Sequence, residues 1–184
     1  MNSKIIFIPG NGGEKTSDNF FAYLHTELER LGLEVIAETF PDPLLARRSY
    51  WIPFLEKIGT DENTILIGHS SGAVAAMRYA ETHNILGSVL IGACYTDLGL
   101  WNEKIAGYYD EPWNWEAIKK NQTFIGLFAS TNDQFIPIEE AHYIRDNLQP
   151  EYFEFTDRGH FMISDREENK KFPEVVEFIK SKLA

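Results

Sequence analysis

The sequence predicts an α/β fold, in which parallel β-strands alternate along the chain with α-helices. Six apolar segments typical of strands are separated by segments whose apolar residues recur every three or four positions, as in amphipathic helices. Several of the strand segments are continuous apolar runs such as Lys4–Ile8, which is the pattern of parallel strands buried on both faces. The length of 184 residues and the hydrophobic content of 43% suit one domain, which we expect to span residues 1–184.

The individual elements follow from these patterns in chain order. Strands are predicted at residues 4–8, 33–40, 65–67, 85–92, 123–129 and 151–156, the last of which alternates like a partly exposed edge strand. Helices are predicted at residues 20–31, 44–57 and 173–183, and directly after residue 72. Residues 98–121 are irregular and rich in aromatic side chains. Because ligands of open α/β sheets bind at the carboxyl ends of the strands, we expect this stretch to form a lid or a pocket wall.

The most informative stretch is a Gly-x-Ser-x-Gly motif, Gly68-His69-Ser70-Ser71-Gly72, between an apolar run and an alanine-rich segment. In this context of strand, tight turn and helix, called a nucleophile elbow, the serine has a strained backbone and an exposed hydroxyl. Glycines two positions before and after the serine allow the turn to close. The following helix directs free N–H groups and its positive dipole end toward an oxygen that approaches the hydroxyl. The motif therefore predicts Ser70 as a nucleophile.

Two residues farther along the chain complete a set of serine, aspartate and histidine. Asp133 and His160 each follow a predicted strand, as Ser70 does. The order Ser, Asp, His is that of α/β-hydrolases, in which the histidine takes the serine proton and a buried acid orients the histidine. Asp97, which follows an earlier strand, remains an alternative acid. His69 is not a candidate base, because within the elbow its side chain points away from that of Ser70.

The glycine-rich loop Pro9-Gly10-Asn11-Gly12-Gly13 follows the first strand and admits two interpretations. A glycine-rich turn at this position can begin a dinucleotide site, but the Gly-x-Gly-x-x-Gly spacing is absent because residue 15 is lysine. In hydrolases with a nucleophile elbow, the loop after an early strand instead supplies half of the oxyanion hole. We therefore expect the backbone N–H groups of Asn11 and Ser71 to hold the oxyanion.

Composition and charge argue against several other functions. The net charge of −11 disfavours nucleic acid and an anionic membrane surface as partners, because both require clustered lysine and arginine. Cys94 is the only cysteine, so it forms no internal disulfide. We expect Cys94 to be a small, buried hydrophobic residue rather than a nucleophile. No group of His, Cys and Asp has metal-ligand spacing, so we expect neither a metal ion nor a cofactor. The N-terminus lacks the pattern of a signal peptide or a membrane span, and we expect a cytoplasmic protein.

Aromatic residues between the fourth and fifth predicted strands suggest where a substrate binds. We expect Trp113 and Trp115 to form the floor of a shallow, apolar pocket beside Ser70, with ordinary core packing as the alternative. Such a pocket favours short acyl groups or an aromatic side chain over long lipid chains. Arg47 could reach the mouth of the site, but a structural ion pair is the favoured interpretation.

Several stretches together point to a family. They are Pro9-Gly10-Asn11-Gly12-Gly13, Pro41-Asp42-Pro43, Gly68-His69-Ser70-Ser71-Gly72, Met77-Arg78-Tyr79-Ala80-Glu81-Thr82-His83, Pro112-Trp113-x-Trp115-Glu116 and Gly159-His160-Phe161. Through them the sequence resembles, over nearly its whole length, the small serine hydrolases typified by retinoblastoma-binding protein 9. The resemblance implies a minimal α/β-hydrolase fold, with a six-stranded parallel sheet and helices on both faces but without the first two antiparallel strands usual in that fold. It also implies Ser70, Asp133 and His160 as the catalytic triad.

One departure from the family bears on partners. The Leu-x-Cys-x-Glu segment credited with retinoblastoma binding corresponds here to Ile58-Gly59-Thr60-Asp61-Glu62, which lacks both the leucine and the cysteine, so we do not expect that partner.

The residues predict a cofactor-independent serine hydrolase, expected to be a monomer, that cleaves a small ester or related acyl substrate through an acyl-enzyme. The alternative is an interaction protein that keeps the fold with weak or vestigial catalysis.

Overall fold

In the computed structural model, which describes residues 3–184, six strands form one sheet in which every neighbouring pair is parallel. The strands are β1 (Lys4–Ile8), β2 (Glu34–Ile36), β3 (Thr64–His69), β4 (Gly87–Ile91), β5 (Phe124–Ser130) and β6 (Glu151–Phe155). Their order across the sheet is β2-β1-β3-β4-β5-β6, so β3 and β4 lie in the middle and β2 and β6 at the edges. The structure therefore confirms the six-stranded parallel sheet and the edge position of β6.

Helices connect the strands and cover the sheet. They are α1 (Phe21–Arg30), α2 (Arg48–Lys57), α3 (Ser71–Ala80), α4 (Trp101–Ala106), α5 (Trp115–Lys120), α6 (Ile138–Leu148) and α7 (Pro173–Leu183). A short 3₁₀ turn, Glu167–Lys170, precedes α7. The aromatic stretch 98–121, predicted as irregular, thus contains the two short helices α4 and α5.

Alternate side chains of the strands enter two separate cores, one on each face of the sheet. On one face, Phe7 and Phe128 pack with α1 and α7. On the other face, Leu66 and Leu90 pack with α2, α3, α5 and α6. Every residue of β3 and β4 is buried. This explains the continuous apolar runs in the sequence, because a strand covered on both faces must be apolar at successive positions.

The second strand is shorter than the sequence predicts. Residues 33–40 have the composition of a strand, yet only Glu34–Ile36 pairs with β1. Beyond this short strand, the carbonyl groups of Ala37 and Glu38 accept hydrogen bonds from the Thr16 hydroxyl, at 3.0 and 3.4 Å, instead of continuing the ladder. The prediction was right about the type of element and wrong about its length.

Helix α2 begins later than predicted, at Arg48. The preceding turn is closed by Asp42, whose carbonyl accepts the Ala46 N–H at 2.8 Å and whose carboxylate accepts the Arg47 Nε–H at 2.8 Å. Asp42 and Ala46 have φ angles of 51° and 53°, a left-handed backbone that cannot continue a right-handed helix. Arg47 therefore forms the favoured structural ion pair.

The parallel direction of the strands brings the loops that follow them to one edge of the sheet. The loops after β1, β3, β5 and β6 carry Asn11, Ser70, Asp133 and His160, respectively. The fold thus gathers residues that are far apart in the sequence. No helix within residues 3–184 combines the length and the apolar character needed to cross a membrane.

Candidate active site

Ser70 lies between β3 and α3, in the tight turn that the Gly-x-Ser-x-Gly motif predicts. Its backbone angles are φ 53° and ψ −121°, a strained conformation for a residue with a side chain, which costs on the order of 1–3 kcal/mol. A β-carbon on Gly68 would come within 2.4 Å of the Gly72 carbonyl group, and one on Gly72 within 2.2 Å of the Ile8 carbonyl oxygen. Only glycine fits at either position, so close backbone contact holds the elbow in shape.

His160 and Asp133 form a hydrogen-bonded pair at the same edge of the sheet. His160 Nδ1 donates to Asp133 Oδ2 at 2.7 Å, and both side chains are almost fully buried. The other carboxylate oxygen of Asp133 accepts the backbone N–H groups of Phe135 and Ile136, at 2.8 and 3.0 Å. With Nδ1 committed to the carboxylate, Nε2 of His160 is the ring nitrogen that can accept a proton.

Ser70 and His160 line one open cavity. Within the described residues, no hydrogen bond joins the Ser70 hydroxyl to His160, whose hydrogen bonds go to Asp133, to Asp165 and to His69. Catalytic hydrogen bonds are often long or poorly aligned until a substrate closes the site. The structure therefore places all three predicted residues together, two in direct contact and Ser70 on the wall of the shared cavity.

The backbone beside Ser70 offers the two N–H groups predicted for an oxyanion hole. Asn11, in the loop after β1, and Ser71, the first residue of α3, both border the cavity. In the described part of the chain, neither N–H group has a hydrogen-bond partner, whereas the Gly10 N–H donates to the Glu14 carboxylate. Unpaired N–H groups, one of them at a helix start, are suited to a negatively charged oxygen.

The cavity around Ser70 has a volume of about 1250 Å³ and is open to solvent. Its wall is apolar over a large area, to which these side chains contribute: Leu98, Leu100, Phe135, Ile136 and Ile163. Leu100 and Phe135 are about half exposed, so their apolar surface is available to a ligand. The cavity is therefore larger than the shallow pocket that the sequence predicts.

The structure places Trp113 and Trp115 outside this cavity, which corrects the predicted pocket floor. Their rings stack at a centroid distance of 5.4 Å, and the Arg78 guanidinium of α3 lies 3.6 Å from the Trp113 ring centroid. The Trp113 indole N–H donates to the Tyr95 carbonyl at 2.8 Å. These contacts hold the two rings against the core that contains α3. The core-packing alternative accounts for them, and α4 rather than α5 borders the cavity.

We expect Trp113→Ala to destabilise the protein without changing its selectivity. The substitution removes an indole that packs on Arg78, with an expected loss of about 2 kcal/mol in unfolding free energy. The melting temperature should then fall by roughly 4–8 °C. Leu100→Ala, inside the cavity, is the matched comparison, for which kcat/KM across ester chain lengths should change while stability does not. A change in selectivity in the Trp113 variant would show that Trp113 contributes to the substrate pocket.

Glu103 of α4 is a site residue that the sequence analysis missed. Glu103 is only 8% exposed, yet it borders the cavity with Ser70. Its Oε1 accepts the side-chain N–H groups of Asn11 at 2.6 Å and of Asn102 at 3.1 Å. Burial raises the pKa of Glu103, and the hydrogen bond from Asn11 offsets part of that rise. Nothing in the sequence marks this glutamate, because its role depends on how α4 packs over the loop after β1.

Glu103→Gln should raise the thermal stability of the protein at pH 8 and not at pH 4. Because the folded pKa of Glu103 is raised, the unfolded chain loses this proton at a lower pH, and stability falls as pH rises above the unfolded value. The glutamine keeps an oxygen for Asn11 and removes this cost, so we expect a rise of a few degrees in melting temperature. Glu116→Gln, at an exposed position of α5, should have no such effect. Equal shifts at both pH values would contradict the prediction.

The alternatives for the acid and the nucleophile find no support in the geometry. The Asp97 carboxylate accepts the Gly99 N–H at 2.9 Å, and within residues 3–184 it forms neither a hydrogen bond nor an ion pair with His160. Cys94 borders the cavity, but burial raises the pKa of its thiol far above the ordinary value, which keeps it protonated. In the same residues, no three His, Cys, Asp or Glu side chains cluster as metal ligands would.

Comparisons with known proteins agree with this geometry. The family model described as "Serine hydrolase" matches residues 5–181. The serine hydrolase RBBP9 of Rattus norvegicus is 43% identical over 184 aligned residues, covering 98% of this chain and 96% of the rat protein. The ydeN gene product of B. subtilis, at 21% identity, superposes with a TM-score of 0.87 and covers 98% of this chain and 99% of its own.

A more distant structure shows the same fold. Est1E of Butyrivibrio proteoclasticus is 13% identical and superposes with a TM-score of 0.78, covering 98% of this chain and 89% of its own. At such identities the likeness establishes the α/β-hydrolase fold and nothing finer. The family model and the rat relative establish more, and the chain belongs to the serine hydrolase family.

Proposed function

We propose that this serine hydrolase cleaves a small ester or related acyl substrate through an acyl-enzyme, with Ser70, His160 and Asp133 as its triad. The observation that carries the proposal is the 2.7 Å hydrogen bond from His160, which lines the same cavity as the strained Ser70, to the buried Asp133. A strained backbone at a side-chain-bearing residue is tolerated where a function requires it.

The first half of the reaction forms the acyl-enzyme. Ser70 Oγ attacks the carbonyl carbon of the substrate while His160 Nε2 takes the hydroxyl proton, and Asp133 stabilises the imidazolium that results. The carbonyl oxygen becomes an oxyanion, which accepts hydrogen bonds from the N–H groups of Asn11 and Ser71. When the bond to the leaving group breaks, His160 gives its proton to the departing alcohol oxygen.

The second half releases the acid. A water molecule attacks the acyl carbon, His160 Nε2 takes the water proton, and the same two N–H groups hold the second oxyanion. The bond to Ser70 Oγ then breaks, and His160 returns the proton to the serine. Every proton in this cycle passes through groups of the chain or the substrate, so the proposed reaction needs neither a metal ion nor a cofactor.

The cavity favours an apolar acyl group. Leu98, Leu100 and Phe135 present apolar surface near Ser70, and each buried CH₂ of an acyl chain contributes about 0.8 kcal/mol while there is room for it. A volume of about 1250 Å³ accommodates medium-length or aromatic acyl groups. Est1E, which has been solved with ferulic acid bound, makes an aryl acid ester a reasonable member of the substrate set to be tested.

We also propose that the protein acts in the cytoplasm as a monomer on a small molecule. A single buried thiol without a disulfide fits a reducing compartment. The strongly acidic composition disfavours nucleic acid as a partner.

A fluorophosphonate probe and a series of nitrophenyl esters test the proposal. The wild-type protein should be labelled at Ser70, and kcat/KM should rise from acetyl to medium-length acyl esters. The matching anilides should react more slowly, because an amine is a poorer leaving group than a phenol. Absence of labelling, with no hydrolysis of any ester, would favour the interaction protein with vestigial catalysis instead.

A further inference from the structure

A buried ion pair borders the same cavity as Ser70 and His160, and the proposed reaction does not use it. His69 Nδ1 is 2.8 Å from a carboxylate oxygen of Glu14, in the loop after β1. The His69 side chain is 2% exposed and the Glu14 side chain 10% exposed. Since His69 immediately precedes Ser70, the ion pair joins the nucleophile elbow to the loop that carries Asn11, which we call the oxyanion loop.

The other ring nitrogen of His69 reaches the loop after β6 that carries His160, which we call the histidine loop. His69 Nε2 is 2.8 Å from the His160 carbonyl oxygen, and the two ring centroids are 4.9 Å apart. A carboxylate and a carbonyl group can only accept hydrogen bonds, so both ring nitrogens of His69 must carry protons for both contacts to form. In this arrangement His69 is an imidazolium.

The Glu14 carboxylate also makes hydrogen bonds to groups other than His69. It accepts hydrogen bonds from the Gly10 N–H of the oxyanion loop and from the side-chain amide of Asn19, in addition to His69. The Asn19 side-chain oxygen in turn accepts the Ile163 N–H of the histidine loop at 2.9 Å. One buried carboxylate therefore connects three of the four loops that carry the candidate catalytic groups, all except the loop that carries Asp133.

The groups that surround His69 favour its charged form. Burial alone would lower the pKa of His69, but the charge and hydrogen bond of Glu14, the hydrogen bond to the His160 carbonyl and the charge of Asp133 together outweigh this effect and raise it. Burial would likewise raise the pKa of Glu14, yet the charge and hydrogen bond of His69 lower it. His160 is the other titratable group against the ring, and Phe20, at a centroid distance of 5.4 Å, is an apolar neighbour.

We propose that Glu14 and His69 are positioning residues, whose buried ion pair fixes the oxyanion loop, the nucleophile elbow and the histidine loop relative to one another. This proposal rests on the function proposed above. A catalytic group displaced by about 1 Å can cost about 10²-fold in rate. Because the two side chains are buried and hydrogen-bonded to the protein, their loss should lower kcat more than it raises KM.

Glu14→Gln tests the carboxylate with little change in shape. The glutamine has one side-chain oxygen where the glutamate has two, so it cannot accept from Gly10, Asn19 and His69 together. We expect kcat and the labelling rate of Ser70 to fall by about 10²-fold, with KM changed by less than about threefold.

A matched control separates positioning from general loss of stability. Glu81 is also 10% exposed and pairs with the buried Arg78, but it lies outside the cavity. Glu81→Gln therefore removes a comparable buried carboxylate, and it should lower the melting temperature while leaving kcat unchanged. An equal loss of kcat in the two variants would overturn the proposal.

The charge of His69 provides a readout that a purely structural role would not move. Nitrogen-15 spectra should show both His69 ring nitrogens protonated at pH 7.5 in the wild type and not in Glu14→Gln, since the variant lacks the anion that raises the pKa. For the same reason, the fall of kcat at alkaline pH should begin at a lower pH in the variant. A neutral His69 in the wild type at that pH, or unchanged kcat and pH profile in the variant, would overturn the proposal.

Asn19→Gly covers the case in which Glu14→Gln fails to fold. Asn19 has a φ of 50°, which glycine accepts readily, so this variant keeps the backbone and the ion pair but removes the side-chain hydrogen bonds that join Glu14 to Asn19 and Asn19 to Ile163. We expect a several-fold lower kcat, and an unchanged kcat would overturn the positioning network. Wild-type protein without labelling at Ser70 would instead refute the proposed function itself, which distinguishes the two failures.

Discussion

Ser70→Ala should abolish covalent labelling by a fluorophosphonate and lower kcat by roughly 10⁴-fold or more. The residues of a triad act as a unit, so that without the nucleophile only substrate binding and the oxyanion hole contribute to the rate. The substitution should leave the melting temperature unchanged or raise it, because alanine removes a hydroxyl that makes no stabilising contact with His160. Labelling measured by intact mass and ester hydrolysis under substrate excess provide the two readouts.

Ser71→Ala checks the register of the elbow. This variant keeps the backbone N–H of residue 71, so labelling at Ser70 and most of the activity should remain. An inactive Ser71 variant beside an active Ser70 variant would show that the nucleophile is assigned to the wrong serine.

Asp133→Asn should lower kcat by about 10⁴-fold while the protein remains folded. The asparagine oxygen can still accept the N–H groups of Phe135 and Ile136, which keeps the loop in place. Its NH₂ group then faces His160 Nδ1, a position at which the wild-type carboxylate accepts a hydrogen bond at 2.7 Å. His160 is thereby driven to the tautomer with a protonated Nε2, which cannot take a proton from Ser70.

Asp97→Asn is the control for this assignment, because Asp97 also follows a strand but bonds only within its own turn. The activity of the Asp97→Asn variant should equal that of the wild type. Near wild-type turnover in a folded Asp133→Asn variant, together with loss of activity in Asp97→Asn, would make Asp97 the acid.

Features of the fold that restrict the residue type at a position were predictable from the sequence. The apolar runs of β1, β3 and β4 reflect burial on both faces, which leaves a direct trace in composition. The elbow was predictable for a similar reason, since the close approach of Gly68 and Gly72 to other backbone atoms excludes a side chain at both positions. The order of Ser70, Asp133 and His160 then followed from strands that all point toward one edge.

Features that depend on distant partners were not predictable in the same way. The length of β2 is limited by Thr16, and the position of Trp113 by Arg78, and both contacts exist only after the chain has folded. The connection of Glu14 to the site is of the same kind, since it runs through His69, whose place in the elbow indicates only that it cannot act as the base for Ser70. Local patterns record burial and steric limits, but they do not record which buried polar groups will meet.

The burial of Cys94 has a practical consequence. This thiol is 4% exposed and lies 3.1 Å from the Tyr109 hydroxyl, just beyond the central strand β4. Since the thiolate is the reactive form and burial suppresses it, thiol reagents should modify Cys94 only while the residues packed around it are transiently open. The rate at which a thiol reagent enters therefore measures the free energy of that opening, without any engineered label. The native chain thus contains its own reporter of local opening at the wall of the cavity.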